Sequence, residues 1–486
     1  MRLLNYLPIV GLIFLWSCNG DQVQTVNKKE SYISLKEGEF VDDGQGFFPL
    51  ILNYQVTIQA NDTSIWGAPS MDYYESNYPH NNKDKSLELF REDMRVIKSM
   101  GFNTVRLVKI TEEHWNKLAQ APAVTTWYKG KYWRAHNFIE AADYPDYIKS
   151  VEELLTIAAE EGLKVILLFR MDGENEQLNN HVARSVEYLK EDTNILALDL
   201  FNEPLYFDSL DRAKEDVYKI SKGWYELVKS KSPNHLITIG LAGIREAFEW
   251  DPNLVSADFI SFHPYQKFQK GRVENEIYWY GKTLNKPWII GETSTASDGK
   301  LVPYSEQIAF ANKVLRQTVG CGGAGFSWWQ YKDVSWNEYH SDFMGLVSRT
   351  DSNGNGVVKP TADVFRTFDP NIYKDSCILY PNYYNLTYES ACTLTGKLID
   401  QNGKPIEHGV VMAWSEWWDK LRHSQTKSDG SFAISADFNL HHWIITAPGF
   451  EYKRGGVDYS KIDTINNNLT YDLGEIAIEH LGLSEN

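Results

Sequence analysis

Eight short apolar runs, several of them separated by amphipathic stretches, constrain this chain more than any other feature. They are Phe47–Ile58, Asn103–Ile110, Lys164–Arg170, Ile195–Phe201, His235–Leu241, Phe259–His263, Pro287–Gly291 and Gly323–Trp329. Each is rich in Val, Ile, Leu and Phe, the pattern of strands buried on both faces. Between several of them the period becomes helical. Across Ser86–Met100, Leu87, Phe90, Met94, Ile97 and Met100 recur at spacings of three and four. Val151–Glu161 and Asp211–Lys231 read the same way, and Gly101 and Gly162 are placed to stop two of the helices. Eight strands alternating with helices over roughly 300 residues predict an α/β fold, a (β/α)8 TIM barrel. We place it over residues 38–375. A doubly wound open sheet competes, but no Gly-rich phosphate loop follows the first strand.

The two ends differ from the middle. Arg2 precedes an apolar stretch, Leu3 to Trp16, too short to span a bilayer comfortably. It closes on Leu15-Trp16-Ser17-Cys18 and resembles a bacterial lipoprotein signal. That resemblance implies cleavage before Cys18 and its lipidation; the alternative is a plain secretory signal with an incidental Cys. Residues 1–18 are therefore read as leader and 19–37 as a polar tether. The protein is expected to be an exported lipoprotein of a bacterial cell envelope, periplasmic or on the outer-membrane surface. It would touch the membrane only through its acyl chains. Outside the cytoplasm Cys377 and Cys392 could pair across a short loop, or remain two buried thiols, while Cys321 reads as a core thiol.

After a linker at 376–392 the composition shifts to short strands with Asn402-Gly403 and Asp429-Gly430 turns. This predicts a small β-sandwich over 393–486. Its motifs resemble the carboxypeptidase regulatory-like (transthyretin-like) domain. No catalytic cluster is visible in it. Trp414, Trp417, Trp418 and Trp443 could form a sugar-binding surface, with sandwich core as the favoured role. Asp351–Gly356 superficially resembles a calcium loop, but its twelfth position is Ala362 where a bidentate Glu is required.

The formal charge of −17 argues against nucleic acid as a partner. The 16 Trp and 28 Tyr raise the prospect of sugar stacking. Trp66, Tyr73, Tyr74, Trp115, Trp127, Tyr128 and Trp133 lie on long connections after the first two strands, at the face where such barrels act. Packing of loops onto the barrel is the expected role for more than half of them.

Two strand ends carry the chemistry. The fourth run closes on Phe201-Asn202-Glu203-Pro204 and the seventh on Gly291-Glu292-Thr293. Each puts a carboxyl group at the C-terminal tip of a barrel strand, on opposite sides of the mouth. Glycoside cleavage needs two such groups, one to protonate the leaving oxygen and one to attack the anomeric carbon or activate water. Together with Gly101-Phe102-Asn103-Thr104-Val105-Arg106-Leu107, these motifs resemble clan A of the glycoside hydrolases, and glycoside hydrolase family 5 within it.

The resemblance implies a retaining O-glycosyl hydrolase with Glu203 as acid/base and Glu292 as nucleophile. Asn202 would bond the sugar 2-hydroxyl. Arg106 would keep Glu292 ionised, Tyr265 would donate to Glu292, and His263 would contact substrate or the acid/base. Trp329 would stack on the sugar, with Trp328 as the alternative. Family members often carry a His at the end of strand three. Here that strand ends Phe169-Arg170-Met171-Asp172, a departure that bears on family and substrate rather than clan. The expected substrate is a β-linked polysaccharide or oligosaccharide, β-mannan or β-glucan first and β-galactoside next. No cofactor or metal is expected, since no His-x-His or carboxylate–His cluster stands on the early strands. The protein is expected to act as a monomer. The competing function is a non-catalytic surface glycan-binding lipoprotein on the same scaffold.

Overall fold

The computed structural model describes residues 31–483, apart from 62, 75–80, 111–114, 117–120, 129–130, 139–143, 209–211, 266–270, 350–355, 382, 385–391, 418, 459–462 and 466–467. The leader, Cys18 and most of the tether lie outside the described residues. Eight parallel strands close into a barrel: β1 (Leu50–Ala60), β2 (Thr104–Val108), β3 (Lys164–Leu168), β4 (Ile195–Asn202), β5 (Leu236–Leu241), β6 (Ile260–Phe262), β7 (Trp288–Ile290) and β8 (Gly325–Trp328). Neighbours pair in sequence order, and β8 returns to β1 with Phe326 opposite Leu50. Closure leaves no edge strand, and every strand is buried on both faces.

The helices begin and end for local reasons. Lys83–Ser99 starts where the Asn82 side chain accepts from the Lys85 amide at 3.0 Å. It stops at Gly101, whose φ of +97° an L-residue would adopt only with strain. Its buried stripe is Phe90, Met94 and Ile97. The segment 31–37, the end of the expected tether, is part of a three-stranded meander running to Phe47. Ile33 and Phe40 of that meander pack under the barrel floor against Ile51, Ile166 and Ile289.

The C-terminal unit is two four-stranded sheets. Its strands are β9 (Cys392–Asp400), β10 (Val410–Trp414), β11 (Leu421–Gln425), β12 (Ser431–Ala436), β13 (His442–Thr446), β14 (Lys453–Gly456), β15 (Asp463–Ile465) and β16 (Asn468–Ile478). The orders are β12-β9-β16-β15 and β11-β10-β13-β14. Leu394, Leu398, Val411, Phe432, Ile434, Ile445 and Ile478 fill the space between them. Trp443 packs half-buried against the sandwich core, as expected, and Trp414 against the barrel core, whereas Trp417 is 79% exposed on the turn before β11 and Trp418 lies outside the described residues.

The sandwich is docked on the barrel. Buried Lys214 donates to Asp251 at 2.7 Å and to Thr446 of β13 at 2.8 Å, and the Gly449 amide donates to the same Asp251. Trp279 of the helix Arg272–Thr283 donates to the His408 carbonyl at 2.8 Å. Val410 and Met412 of β10 belong to the barrel's own apolar core.

The cysteine expectation is corrected. Cys321 and Cys377 form the disulfide, and Cys392 is a buried free thiol. The cause is the linker's path. Cys377 lies against the end of the helix Tyr304–Gly320 between β7 and β8, where Gln317 bonds both backbone groups of Ile378, whereas Cys392 already belongs to a strand of the sandwich core.

Candidate active site

The tips of β2, β4, β6 and β7 converge on one cleft of about 1100 Å³. Every residue predicted for the site reaches it. Asn202, Glu203, His263, Tyr265, Glu292 and Trp329 line the cavity, and Arg106 lies just beneath.

Arg106 is the hub. It is fully buried and donates to Glu292 Oε1 at 2.6 Å, to Asn53 Oδ1 at 3.0 Å, to Asn202 Oδ1 at 2.9 Å and to Asp199 Oδ2 at 2.9 Å. Only a planar, branched cation reaches four partners in different directions. Asp199 on β4 and Asn53 on β1 were not legible as site residues. Each points into the barrel interior, where Asn53 also donates to the Gly291 carbonyl and to Ser327 Oγ. Burial pushes the Asp199 carboxyl up, opposed by the Arg106 guanidinium.

Glu292 has both oxygens engaged. Arg106 takes Oε1, and the Tyr265 hydroxyl donates to Oε2 at 2.8 Å. The small residue ahead of it is a packing requirement. A Cβ on Gly291 would stand 1.8 Å from Ser261 Oγ and 2.8 Å from His263 Nε2, and one on Gly240 would stand 2.6 Å from His263 Cε1. These two glycines make the slot in which the imidazole sits.

Glu203 follows β4 in a left-handed conformation, φ 49° and ψ 69°, which costs a non-glycine residue about 1–2 kcal/mol. The surroundings hold it there. Its amide donates to the Gly240 carbonyl at 2.8 Å, and Pro204 opens a short helix behind it. Glu246, also missed in the sequence, accepts from the amides of Leu205 and Ala242 at 3.0 and 3.1 Å and ties the ends of β4 and β5 together.

Burial raises the Glu203 carboxyl to about 7, against the opposing fields of Arg106 and Arg245. Glu246 is raised to about 8, again chiefly by burial. His263, pushed down to about 4 by burial, is a neutral ring near pH 7, with Nδ1 3.1 Å from Glu203 Oε1 and 3.7 Å from Glu292 Oε1. Oxygens of the two glutamates and a His263 nitrogen all lie within 4.8 Å of one another. This is the one His/Cys/carboxylate trio among the described residues close enough to share a cation, but Arg106 already supplies positive charge at Glu292.

Trp329 faces the cleft, while Trp328 points away, donating to the Met344 carbonyl and packing on Phe310 and Phe365. Strand alternation separates the two. The loop aromatics divide as expected where they can be seen: Trp66, Tyr73 and Tyr74 are buried packing residues. The side chains of Trp115, Trp127, Tyr128 and Trp133 lie outside the described residues. The exposed rings at the cleft are ones not anticipated, Trp336, Tyr206 and Phe207. Strand three delivers Arg170 to the cavity. Also unforeseen, the sandwich supplies one wall, through Asp419–His423 and Asp437.

No curated protein matches the chain. Among solved structures it is similar to the endo-1,4-beta-mannanase of Rhizomucor miehei, at 15% identity and TM-score 0.47, over 70% of this chain and 100% of that one. GH5_18 of Streptomyces cattleya, seen in complex with GlcNAc, aligns at 13% identity and TM-score 0.47, over 73% of this chain and 84% of that one. A beta-glucuronidase of Bacteroides uniformis aligns at 12% identity and TM-score 0.46, over 91% of this chain but only 48% of its own length. Residues 74–333 match the cellulase family, glycosyl hydrolase family 5, from the loop after β1 to the loop after β8. With that match spanning more than half of the chain, this protein belongs to the cellulase family, glycosyl hydrolase family 5, and is a glycoside hydrolase acting on carbohydrate.

Proposed function

We propose that the protein cleaves β-glycosidic bonds with retention of configuration, Glu292 acting as nucleophile and Glu203 as acid/base. The observation that carries this is the approach of the two carboxyl groups to within 4.8 Å. Retaining enzymes hold the pair about 5–5.5 Å apart, whereas inverting ones need about 6.5–9.5 Å to admit a water. Glu292 attacks the anomeric carbon as the bond to the leaving oxygen breaks, and that oxygen takes the Glu203 proton. Water then attacks the same carbon, giving its proton to Glu203 and releasing Glu292. Neutral His263 hydrogen-bonds Glu203 in either protonation state. Asn202, whose oxygen is taken by Arg106, has its NH2 left for the sugar 2-hydroxyl. Trp329 and Trp336 offer ring faces. The preferred substrates are β-mannan and β-glucan, and the leader supports an exported lipoprotein held at the envelope through Cys18.

The first-formed product anomer, followed by proton NMR during rapid hydrolysis, is expected to be β. An α-anomer appearing first would sink the retaining assignment.

The pH dependence follows from Glu203. The acid must carry its proton when substrate binds, so activity is present below its pKa and lost above. kcat/KM is expected to fall tenfold per pH unit above about 7. An alkaline limb near pH 5, the range of an ordinary exposed carboxyl, would contradict the burial of Glu203.

A further inference from the structure

The cleft is locally cationic in a protein whose formal charge is −17. Three of its six cationic side chains already pair with a carboxylate. Lys109 pairs with Asp72 at 3.1 Å, Arg272 with Glu276, and Arg422 with Asp437 at 2.9 Å. Arg245 is different. It stands on the short 3-10 turn after β5, its guanidinium 5.6 Å over the Tyr206 ring and bonded to the Tyr206 hydroxyl. Among the described residues no carboxylate pairs with it, and its buried Nε has no partner. Lys420 and Arg422 of the sandwich line the same cavity. Buried His423 of β11 lies 4.0 Å from Glu276 Oε1, and the other oxygen of Glu276 accepts from the Ile244 amide at 3.0 Å, so the sandwich wall and the Arg245 turn meet across Glu276.

A neutral sugar packed over these cations would strip them of water and offer no charge in return. A carboxylate would match the guanidinium fork in shape and sign. We propose that the barrel and sandwich together form a subsite for the carboxylate of an acidic sugar unit, built by Arg245 with Lys420 and Arg422. The inference rests on the glycosidase reading above and moves its substrate from neutral β-mannan and β-glucan to β-linked glycans that carry uronate units. It also assigns the sandwich a role, as one wall of the active site. The net negative charge disfavours indiscriminate binding of polyanions, so a preference for acid would come from this local site.

The test pairs alginate and glucuronoxylan, both of which contain β-linkages, each with its own carboxyl-reduced form, and adds a sulfated galactan. Two readouts are taken on the full-length protein: kcat/KM for released reducing ends, and affinity of the Glu292→Gln protein by calorimetry. At least one acidic glycan is expected to be bound or cleaved tenfold or more better than its reduced form. Arg245→Gln should bring that ratio toward one, and Asp437→Asn, which releases Arg422 on the exposed rim, should raise it. The ratio is internal to each variant, so it is indifferent to a moved Glu203 pKa or a loss of folded protein. No preference in any pair, a preference for the sulfated glycan alone, or a ratio unchanged in both variants would overturn the subsite. Failure of the catalytic reading looks different: the preference for acid persists while Glu292→Gln releases reducing ends as fast as the parent.

Discussion

Glu292→Gln is expected to lower kcat by roughly 10⁵-fold or more on every substrate, as removal of a nucleophile does. Glu203→Gln should behave differently. Losing a general acid costs about 10²–10⁴-fold where the leaving oxygen needs a proton. On an aryl glycoside with a strongly acidic phenol the departing oxygen needs little help, so glycosylation should be far less impaired. The two variants are therefore to be compared across aryl glycosides of graded leaving-group pKa. A steep dependence in Glu203→Gln beside a uniform loss in Glu292→Gln assigns the roles as given. The opposite pattern would exchange them. Both substitutions keep side-chain volume, and Glu203 makes no ion pair with Arg106, so folding should survive in the Glu203 variant. In Glu292→Gln the Tyr265 hydroxyl can still donate to the amide oxygen, which limits the collapse of the site.

The positions of these residues were legible because barrel geometry turns a place in the sequence into a place in space. A residue at the end of an apolar run lies at the mouth, so Glu203, Glu292, His263, Tyr265 and Trp329 could be assembled from four separate segments. The strands themselves were legible because burial on both faces leaves uninterrupted apolar runs. Helices were read less completely. Arg272–Thr283 buries Arg272, Glu274, Asn275 and Glu276 beside its apolar residues, because the sandwich covers its outer side. That covering erases the polar face by which a surface helix is recognised. Asn53 and Asp199 escaped notice for a related reason. A single polar residue inside an apolar run reads as an exception until a buried Arg106 is seen to need it. Arg245 and Glu246 sit in one turn of 3-10 helix, too short for any periodicity. Nothing local in 419–423 or 437 points to a cleft built by a different unit of the chain. The disulfide was misjudged where nearness along the chain was taken for nearness in space.

Arg106→Met is expected to destabilise the barrel by about 3–5 kcal/mol, because removing one partner of a buried ion pair strands the others. Here two buried carboxylates, Asp199 and Glu292, lose the same cation. The loss should be read as a fall in the denaturation midpoint of the barrel, since a chain of two units has no single unfolding free energy. Arg106→Lys is expected to recover only part of it. An ammonium can meet Asp199 or Glu292 as a point charge, but it cannot also hold Asn53 and Asn202. Asp199→Asn added to Arg106→Met should restore some stability, giving a double variant less damaged than the sum of the singles. Activity should not return with it, because Glu292 still lacks the donor that orients it and Asn202 is free to turn. The comparison separates the two duties of Arg106. If Arg106→Met keeps the parent's barrel denaturation midpoint, the buried network does not depend on its charge. If the double variant regains turnover as well as stability, Arg106 serves the fold alone and Glu292 is oriented by Tyr265 without it.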